Sequence, residues 1–262
     1  MDSVFSVPPP NFSKHDVHSI LKKEYNLIGN VSTLYSDRDQ NFLISTKSKN
    51  YILKIFNWAE DDTTLDLQFS AMDYITKKDP NILVPELIGK IIVKNKREKI
   101  YKICLLKYLN GSFLYEQKLT HSDYSQMGKF MGTISNALVG FKHPGSSRVF
   151  EWDAQYPELI YERIKYIAPK DNQKIILHFI EQFKNWVYPN ESNLRMAIIH
   201  NDGNDHNIII DKNVQKIGII DFGDMVYSYQ VIEPAVCMAY ISLDNKHPLD
   251  IFSSFLKGYH AS

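Results

Sequence analysis

The strings HNDGNDHNIII, at 200–210, and KIGIIDFGD, at 216–224, decide the reading of this chain. Each contains an apolar run of strand length, and a short polar stretch separates them, which predicts two short strands joined by a tight turn. Asn207 lies five positions after Asp202, and Asp221 lies fourteen after Asn207. Phosphoryl transfer from a nucleotide needs an acid to orient the attacking hydroxyl, and an amide and a carboxylate to hold Mg²⁺ on the phosphates. This spacing offers Asp202 for the first task, and Asn207 and Asp221 for the second. Singly, each has an ordinary reading as a turn residue that bonds its own backbone. An ionised carboxylate at the end of a buried strand, as at Asp221, still requires a partner or a metal. Together the three point to a small-molecule kinase.

Composition narrows the alternatives. Hydrophobic residues make up 44% of the 262 and charged residues 23%, and 30 basic side chains balance 30 acidic ones. The sequence shows no basic excess or stripe of the kind that nucleic acid requires. No apolar run approaches the roughly 18 residues of a membrane span, and no secretory leader is visible. Cys104 and Cys237 sit in apolar runs, as expected for buried reduced thiols of a cytoplasmic protein.

Outward from the two strings, the pattern divides near residue 110. Upstream, Ser13 caps a helix with Val17, Ile20, Leu21 and Tyr25 on one face. Strands follow at 31–35, 41–46 and 51–56, then a helix over 63–77 stopped by Pro80, then strands at 82–93 and 99–109 around the basic turn 94–98. Downstream, helices dominate. One is capped at Ser122, and others are expected over 157–167, 172–187, 231–243 and 248–259. Strands at 196–199, 208–210 and 217–222 interrupt them. The expectation is an α+β chain with an antiparallel-sheet lobe at 1–110, a mainly helical lobe at 111–262, and a cleft between them near 106–111.

Lys54 interrupts the apolar strand YILKIF, which turns it toward the cleft, where a lysine can hold nucleotide phosphates as a point charge. The bland alternative is a lysine snorkelling from a half-exposed strand. Its acidic partner is expected on the next helix: Asp66 first, Asp73 second, with Gln68 as a neutral substitute. No glycine-rich phosphate loop is present, so the turn 36–40, beginning at Ser36, is the candidate phosphate turn, through its backbone N–H groups. His200, Asp202, Asp205 and His206 also resemble a metal-hydrolase cluster, but the strings around them fit Mg²⁺ chemistry better. His200 is expected to bond the loop backbone.

HNDGNDHN resembles the HGDxxxxN loop of the aminoglycoside phosphotransferase and choline kinase-like family, and IIDFGD resembles that family's metal-binding strand end. The segments at 39–42, 51–55, 204–207 and 221–233 are similar to the branch of the family that phosphorylates hydroxylysine. The resemblance implies a protein-kinase-like fold. It also implies transfer of the terminal phosphate of GTP or ATP, with Mg²⁺, to the hydroxyl of 5-hydroxy-L-lysine in lysine degradation. Asp202 would be the base, Asn207 and Asp221 the Mg²⁺ ligands, and Lys54 the phosphate clamp. Leu106 and Tyr108 would bound a hinge that meets the nucleotide base, and Asp205, Asp224 or Glu233 could hold a substrate amine. Other amino alcohols (homoserine, choline, an aminoglycoside) are alternative acceptors, and an inactive nucleotide-binding relative is a further alternative. A protein kinase is disfavoured, since the stretch from Asp221 to Glu233 is too short for an activation segment. Asn201 stands where the family has glycine, and asparagine tolerates a left-handed backbone. The family continues with further helices beyond this point, so an incomplete C-terminal lobe is expected, with the apolar faces of 231–259 uncovered.

Overall fold

The computed structural model describes residues 4, 6–94, 99–212 and 216–262. The N-terminal lobe comprises α1 (Lys14–Tyr25), β1 (Asn30–Leu34), β2 (Gln40–Ser45), β3 (Asn50–Ile55), α2 (Asp62–Lys78), β4 (Leu87–Lys94) and β5 (Ile100–Lys107). Its strands form one antiparallel sheet in the order β1-β2-β3-β5-β4. Side chains alternate between the faces of a strand, and this alternation builds the lobe. Leu53 and Ile55 face α1 with Phe42, Ile44, Ile103 and Leu105, over Val17, Ile20 and Leu21. Cys104 and Phe56 face α2, over Leu65, Met72 and Ile75. Ser13 caps α1 as expected, in a reciprocal box with Asp16.

β4 starts later than the expected 82. Residues 82–86, which include Pro85, run as a connection whose Leu83 makes a parallel bridge to Gly218 of the other lobe. Ile219 N–H donates to the Leu83 carbonyl at 3.0 Å, and a Cβ at Gly218 would stand 2.9 Å from that oxygen, so glycine is needed there. Most of the basic turn at 94–98 and the turn expected between the two catalytic strands lie outside the described residues.

The C-terminal lobe comprises β6 (Ser112–Phe113), α3 (His121–Ala137), α4 (Lys170–Trp186), β7 (Met196–Ile199), β8 (Ile208–Asp211), β9 (Lys216–Ile219), β10 (Val226–Tyr229), α5 (Ile232–Ser242) and α6 (Pro248–His260). Thr120 caps α3 in a box with Asp123, two residues ahead of the expected Ser122. Pro157–Tyr166 is 3₁₀ helix. Two small sheets, β6-β8-β9 and β10-β7, carry the catalytic strings. They include β6 and β10, which the sequence pattern did not disclose. Cys237, Ile241, Ile251 and Phe255 of α5 and α6 are buried against Met127 and Met131 of α3. The apolar faces of 231–259 are therefore largely covered within the chain, contrary to expectation, although Val231, Leu243 and Leu249 are exposed. α3 and α6 touch backbone to backbone: a Cβ on Gly128 would overlap the Phe255 carbonyl, and one on Gly258 the Ser125 carbonyl.

Candidate active site

The cleft between the lobes is lined by Lys54, Leu106 and Tyr108 from above and by Asp202, Asn207 and Asp221 from below. Residues far apart in sequence thus converge on one cavity. Lys54 is 8% exposed, and its Nζ lies 3.1 Å from Asp221 Oδ1 and 3.1 Å from Asp39 Oδ2. Burial alone would depress its pKa, but the two carboxylates outweigh this and hold it above the ordinary lysine value.

Asp221 follows β9 at the point where Ile220 N–H donates to the Asn207 carbonyl at 2.9 Å. Its backbone is left-handed, with φ 61°, and its carboxylate accepts from Gly223 N–H at 3.3 Å. Aspartate is among the few residues that adopt this conformation without large strain. Lys54 is the main cause of a pKa lowered to about 2, so the carboxylate is ionised at neutral pH. Its side chain remains 40% exposed to the cleft.

Asp202 lies in the loop between β7 and β8. Its Oδ1 accepts from Asn204 Nδ2 and its Oδ2 from Asn207 Nδ2, each at 2.6 Å. Burial, then the negative charge of Asp224, raises its pKa to about 6, against the lowering effect of the amide hydrogen bonds. Asn207 turns its amide nitrogen to Asp202, which leaves its amide oxygen as a hard ligand on the other side.

Beneath this loop His200 is fully buried. Its Nε2 lies 3.1 Å from the Ile220 carbonyl and its Nδ1 3.3 Å from Asp202 N, an arrangement that fits one tautomer, Nε2–H donating and Nδ1 accepting. Burial lowers its pKa to about 4. The ring therefore ties the two catalytic strings together as a neutral group, as expected. His206 instead faces Asp205 at 2.9 Å, with its side chain 68% exposed. The four residues of the hydrolase alternative are not gathered around one point. Asn201 has φ 67° and donates to the Trp152 carbonyl at 3.2 Å, so the left-handed position is used as expected.

Several predicted site residues stand elsewhere. Asp66 is 61% exposed and faces His143 at 3.2 Å and Lys90 at 3.9 Å. It does not reach Lys54, because α2 directs this position outward while Gln68 lines the cleft. Asp73 pairs with Lys77 on the same helix. Lys54 takes its second acid from Asp39, in the β1–β2 turn, and Asp39 also accepts from Asn57 N–H at 2.9 Å. Glu233 is fully buried, and its carboxylate accepts the N–H groups of His200 and Asn201, so it anchors the loop and does not face an acceptor. Asp224 is engaged by Arg38 at 2.5 Å. Of the three acids assigned to a substrate amine, Asp205 keeps the most accessible carboxylate. Ser36 lies in the cleft wall beside Arg38. At the hinge, the N–H groups of Lys107 and Tyr108 are spent on the Glu86 and Asn50 carbonyls, at 2.9 and 3.2 Å. Sequence reasoning took Arg38 and Asp39 only as part of the 36–40 phosphate turn, through its backbone, and missed the contacts of their side chains, as it missed Asn204 and Arg148. Arg148 reaches across to the carbonyls of Gly223 and Met225, at 2.7 and 3.1 Å.

The donor set suits Mg²⁺. Magnesium is typically held by one or two protein oxygens, with waters and substrate phosphates completing its octahedron. Asn207 and Asp221 supply an amide oxygen and an ionised carboxylate, and among the described residues no larger His/Cys/Asp/Glu metal cage occurs.

The sequence profile of APH, the phosphotransferase enzyme family, matches residues 31–260. The chain belongs to this family. It is a phosphotransferase of the class that acts on an alcohol acceptor. It is 26% identical to the hydroxylysine kinase of Danio rerio over 271 residues, covering 96% of this chain and 76% of that protein. It is 25% identical to the hydroxylysine kinase of Mus musculus over 287 residues, covering 96% and 75%. Among solved structures, a microcompartment-associated aminopropanol kinase superposes with a TM-score of 0.73 at 14% identity, covering 95% of this chain and 81% of that one. The amicoumacin kinase hAmiN, bound to AMP-PNP, Ca²⁺ and Ami, superposes with a TM-score of 0.70 at 15% identity, covering 94% and 78%. These two likenesses establish the fold: the antiparallel sheet over a helical lobe is that of the APH kinases.

Proposed function

We propose that this chain transfers the terminal phosphate of GTP or ATP to the hydroxyl of 5-hydroxy-L-lysine in the cytoplasm. The nucleotide lobe is 1–110 and the acceptor lobe 111–262. The observation that carries the chemistry is the linkage Lys54–Asp221 across the cleft, beside Asp202 and Asn207 held together by a 2.6 Å hydrogen bond. The substrate assignment is supported by the similarity to hydroxylysine kinases over nearly the whole chain. The two buried free thiols accord with a reducing compartment.

In this reading Lys54 holds the donor phosphates, and Asn207 and Asp221 hold Mg²⁺, which neutralises charge on those phosphates when bound. Asp202 accepts a hydrogen bond from the acceptor hydroxyl. The bond from the terminal phosphorus to the bridging oxygen breaks, and that oxygen leaves with the nucleoside diphosphate. A bond forms from phosphorus to the acceptor oxygen, whose proton passes to Asp202. Asn204 and Asn207 fix the carboxylate for this task. Asp205, which adjoins the cleft-lining Asn204 and His206 and whose carboxylate faces the His206 ring, is assigned the substrate amine.

The test is phosphate transfer from GTP and from ATP, with Mg²⁺, to 5-hydroxy-L-lysine, homoserine, choline and an aminoglycoside in parallel. Selective turnover of hydroxylysine, abolished in Asp202→Ala, is expected. Faster turnover of another alcohol would reassign the substrate. Nucleotide binding with no turnover of any alcohol would mark a nucleotide-binding protein without transferase activity.

A further inference from the structure

The β1–β2 turn contains no glycine, and at its centre stands an arginine. The turn itself is fixed. The Arg38 carbonyl accepts from Asn57 Nδ2 at 3.2 Å, and Asp39 binds both Asn57 N–H and Lys54. From this anchored backbone the Arg38 side chain crosses the cleft, and Nη2 donates to Asp224 Oδ1 at 2.5 Å. A Cβ at Gly223, between Asp221 and Asp224, would stand 3.2 Å from Asp221 Oδ1 and 3.5 Å from Nη2, so the guanidinium and that carboxylate flank the same glycine. The guanidinium therefore lies beside the turn that carries Asp221, with its side chain 23% exposed in the cleft wall.

The charge count at this end of the cleft calls for such a group. Among the described residues, Lys54 is shared by Asp39 and Asp221, Arg38 faces Asp224, Arg148 stands near Asp224, and Asp202 lies close to Asp221 and Asp224, so carboxylates outnumber cations here. A metal-bound triphosphate adds a net charge of about −2. A lysine held by two carboxylates has little charge left for the transferring group. A guanidinium is a planar fork, able to keep one edge on a carboxylate and offer another to phosphate oxygens.

We propose that Arg38 is a catalytic residue: while Asp224 holds one edge of its guanidinium, another edge contacts the terminal phosphate of the donor and stabilises charge as that phosphate moves. The covalent step is the transfer described above, with the acceptor proton going to Asp202. Asp224 is a positioning residue that acts through Arg38. The inference rests on the phosphotransfer reading and adds to it a second protein cation, from a position where glycine-rich phosphate loops supply backbone N–H groups.

The test compares wild type, Arg38→Ala, Arg38→Lys and Asp224→Asn in the full chain. It measures kcat and nucleotide KM for transfer to hydroxylysine, thermal stability, and acceptor-free hydrolysis of GTP and ATP. Arg38→Ala is expected to lower kcat by at least about 10²-fold in both reactions, with a smaller rise in nucleotide KM, as for arginines that stabilise phosphoryl transfer. Asp224→Asn is expected to lose less, and added guanidinium ion to restore part of the Arg38→Ala activity but none in Asp202→Ala. Should the alanine variant not fold, Arg38→Lys answers instead, since it keeps the charge and loses the fork. If wild type is active and the Arg38 variants fall within about threefold of it, or lose only as much as Asp224→Asn with no rescue, Arg38 is merely an interlobe clamp and this inference is wrong. If wild type neither binds nor turns over nucleotide, the phosphotransfer reading itself is overturned, and this one with it.

Discussion

Replacing Glu233 with glutamine isolates the electrostatic cost of the group on which the catalytic loop rests. Glu233 is fully buried at the start of α5. One carboxylate oxygen, Oε2, accepts His200 N–H, while Oε1 is among the buried polar atoms with no hydrogen-bond partner. Burial raises its pKa to about 7, the backbone N–H groups of His200 and Asn201 opposing the rise. The sign follows from linkage. A carboxyl whose folded pKa exceeds its unfolded value, 4.5 here, contributes its full stability below that unfolded value and loses it as pH rises through the folded one. The window is therefore pH 4.5 to about 7. At 1.36 kcal/mol per pKa unit, the loss across it is on the order of 3 kcal/mol.

Glutamine keeps an acceptor oxygen for the two N–H groups and cannot ionise. Urea unfolding of wild type and Glu233→Gln at matched pH values cancels the other titrating groups. The variant's stability relative to wild type is expected to improve by on the order of 3 kcal/mol between pH 4.5 and 8. Its activity at pH 7 is expected to survive, because the loop anchor survives. Glu233→Ala orphans both N–H groups and is expected to cost about 1–3 kcal/mol for each. A stability difference between wild type and Glu233→Gln that stays flat across this range would refute the reasoning, since it would mean that the buried carboxyl ionises at no cost.

Three further outcomes are expected. The Asp202 pKa of about 6 belongs to the free enzyme, and only the ionised form can accept a proton, so log(kcat/KM) should fall with unit slope below about pH 6; Asp202→Asn should lose about 10²–10⁴-fold in kcat with nucleotide binding retained, and a profile flat from pH 5 to 7 would remove Asp202 as the base. Asp39→Ala should weaken nucleotide binding and lower the melting temperature, since it removes one of the two carboxylates that orient Lys54 and orphans Asn57 N–H, whereas the exposed Asp66→Ala should change stability by no more than about 0.5 kcal/mol; calorimetric titration with nucleotide and thermal melts separate the two. Gly128→Ala places a methyl against the Phe255 carbonyl, and the overpacking penalty of about 1–3 kcal/mol should exceed the roughly 1 kcal/mol gained in helix propensity, so denaturant midpoints should fall.

The catalytic strings were legible because their meaning is local. Asp202 and Asn207 precede β8 and Asp221 follows β9, and the pairing of these strands, Ile208 opposite Ile219 and Ile209 opposite Gly218, follows from a short connection. Sequence spacing therefore fixes spatial spacing, and period-two alternation likewise put Lys54 on the cleft face. Glu233 and Asp66 were equally visible as acids but wrongly placed. Whether an acid faces solvent, a loop backbone or a cation depends on how α2 and α5 are rotated against their neighbours, and no spacing within their own segments reports that.

The partner of Lys54 shows where such reasoning fails and why. An acid on the helix after the lysine strand is the economical expectation, since a short connection brings the two together. Here α2 spends its inward positions on Leu65, Met72 and Ile75 and carries Gln68 to the cleft, so Asp66 emerges beside Lys90 and His143. The charge is supplied instead by the preceding turn, where Asp39 reaches Lys54 because β2 and β3 pair with Gln40 opposite Ile55 and Asn41 opposite Lys54. That register places the residue before Gln40 next to the lysine as firmly as a helix would. A turn that already supplies a carboxylate to Lys54 also reaches the metal-binding loop of the other lobe, through the opposite charges of Arg38 and Asp224. Reversing those charges together, as Arg38→Glu with Asp224→Arg, would keep the interlobe pair and bring a negative charge to the phosphates. Retained folding with lost turnover in that double variant would separate the architecture of the cleft from its chemistry.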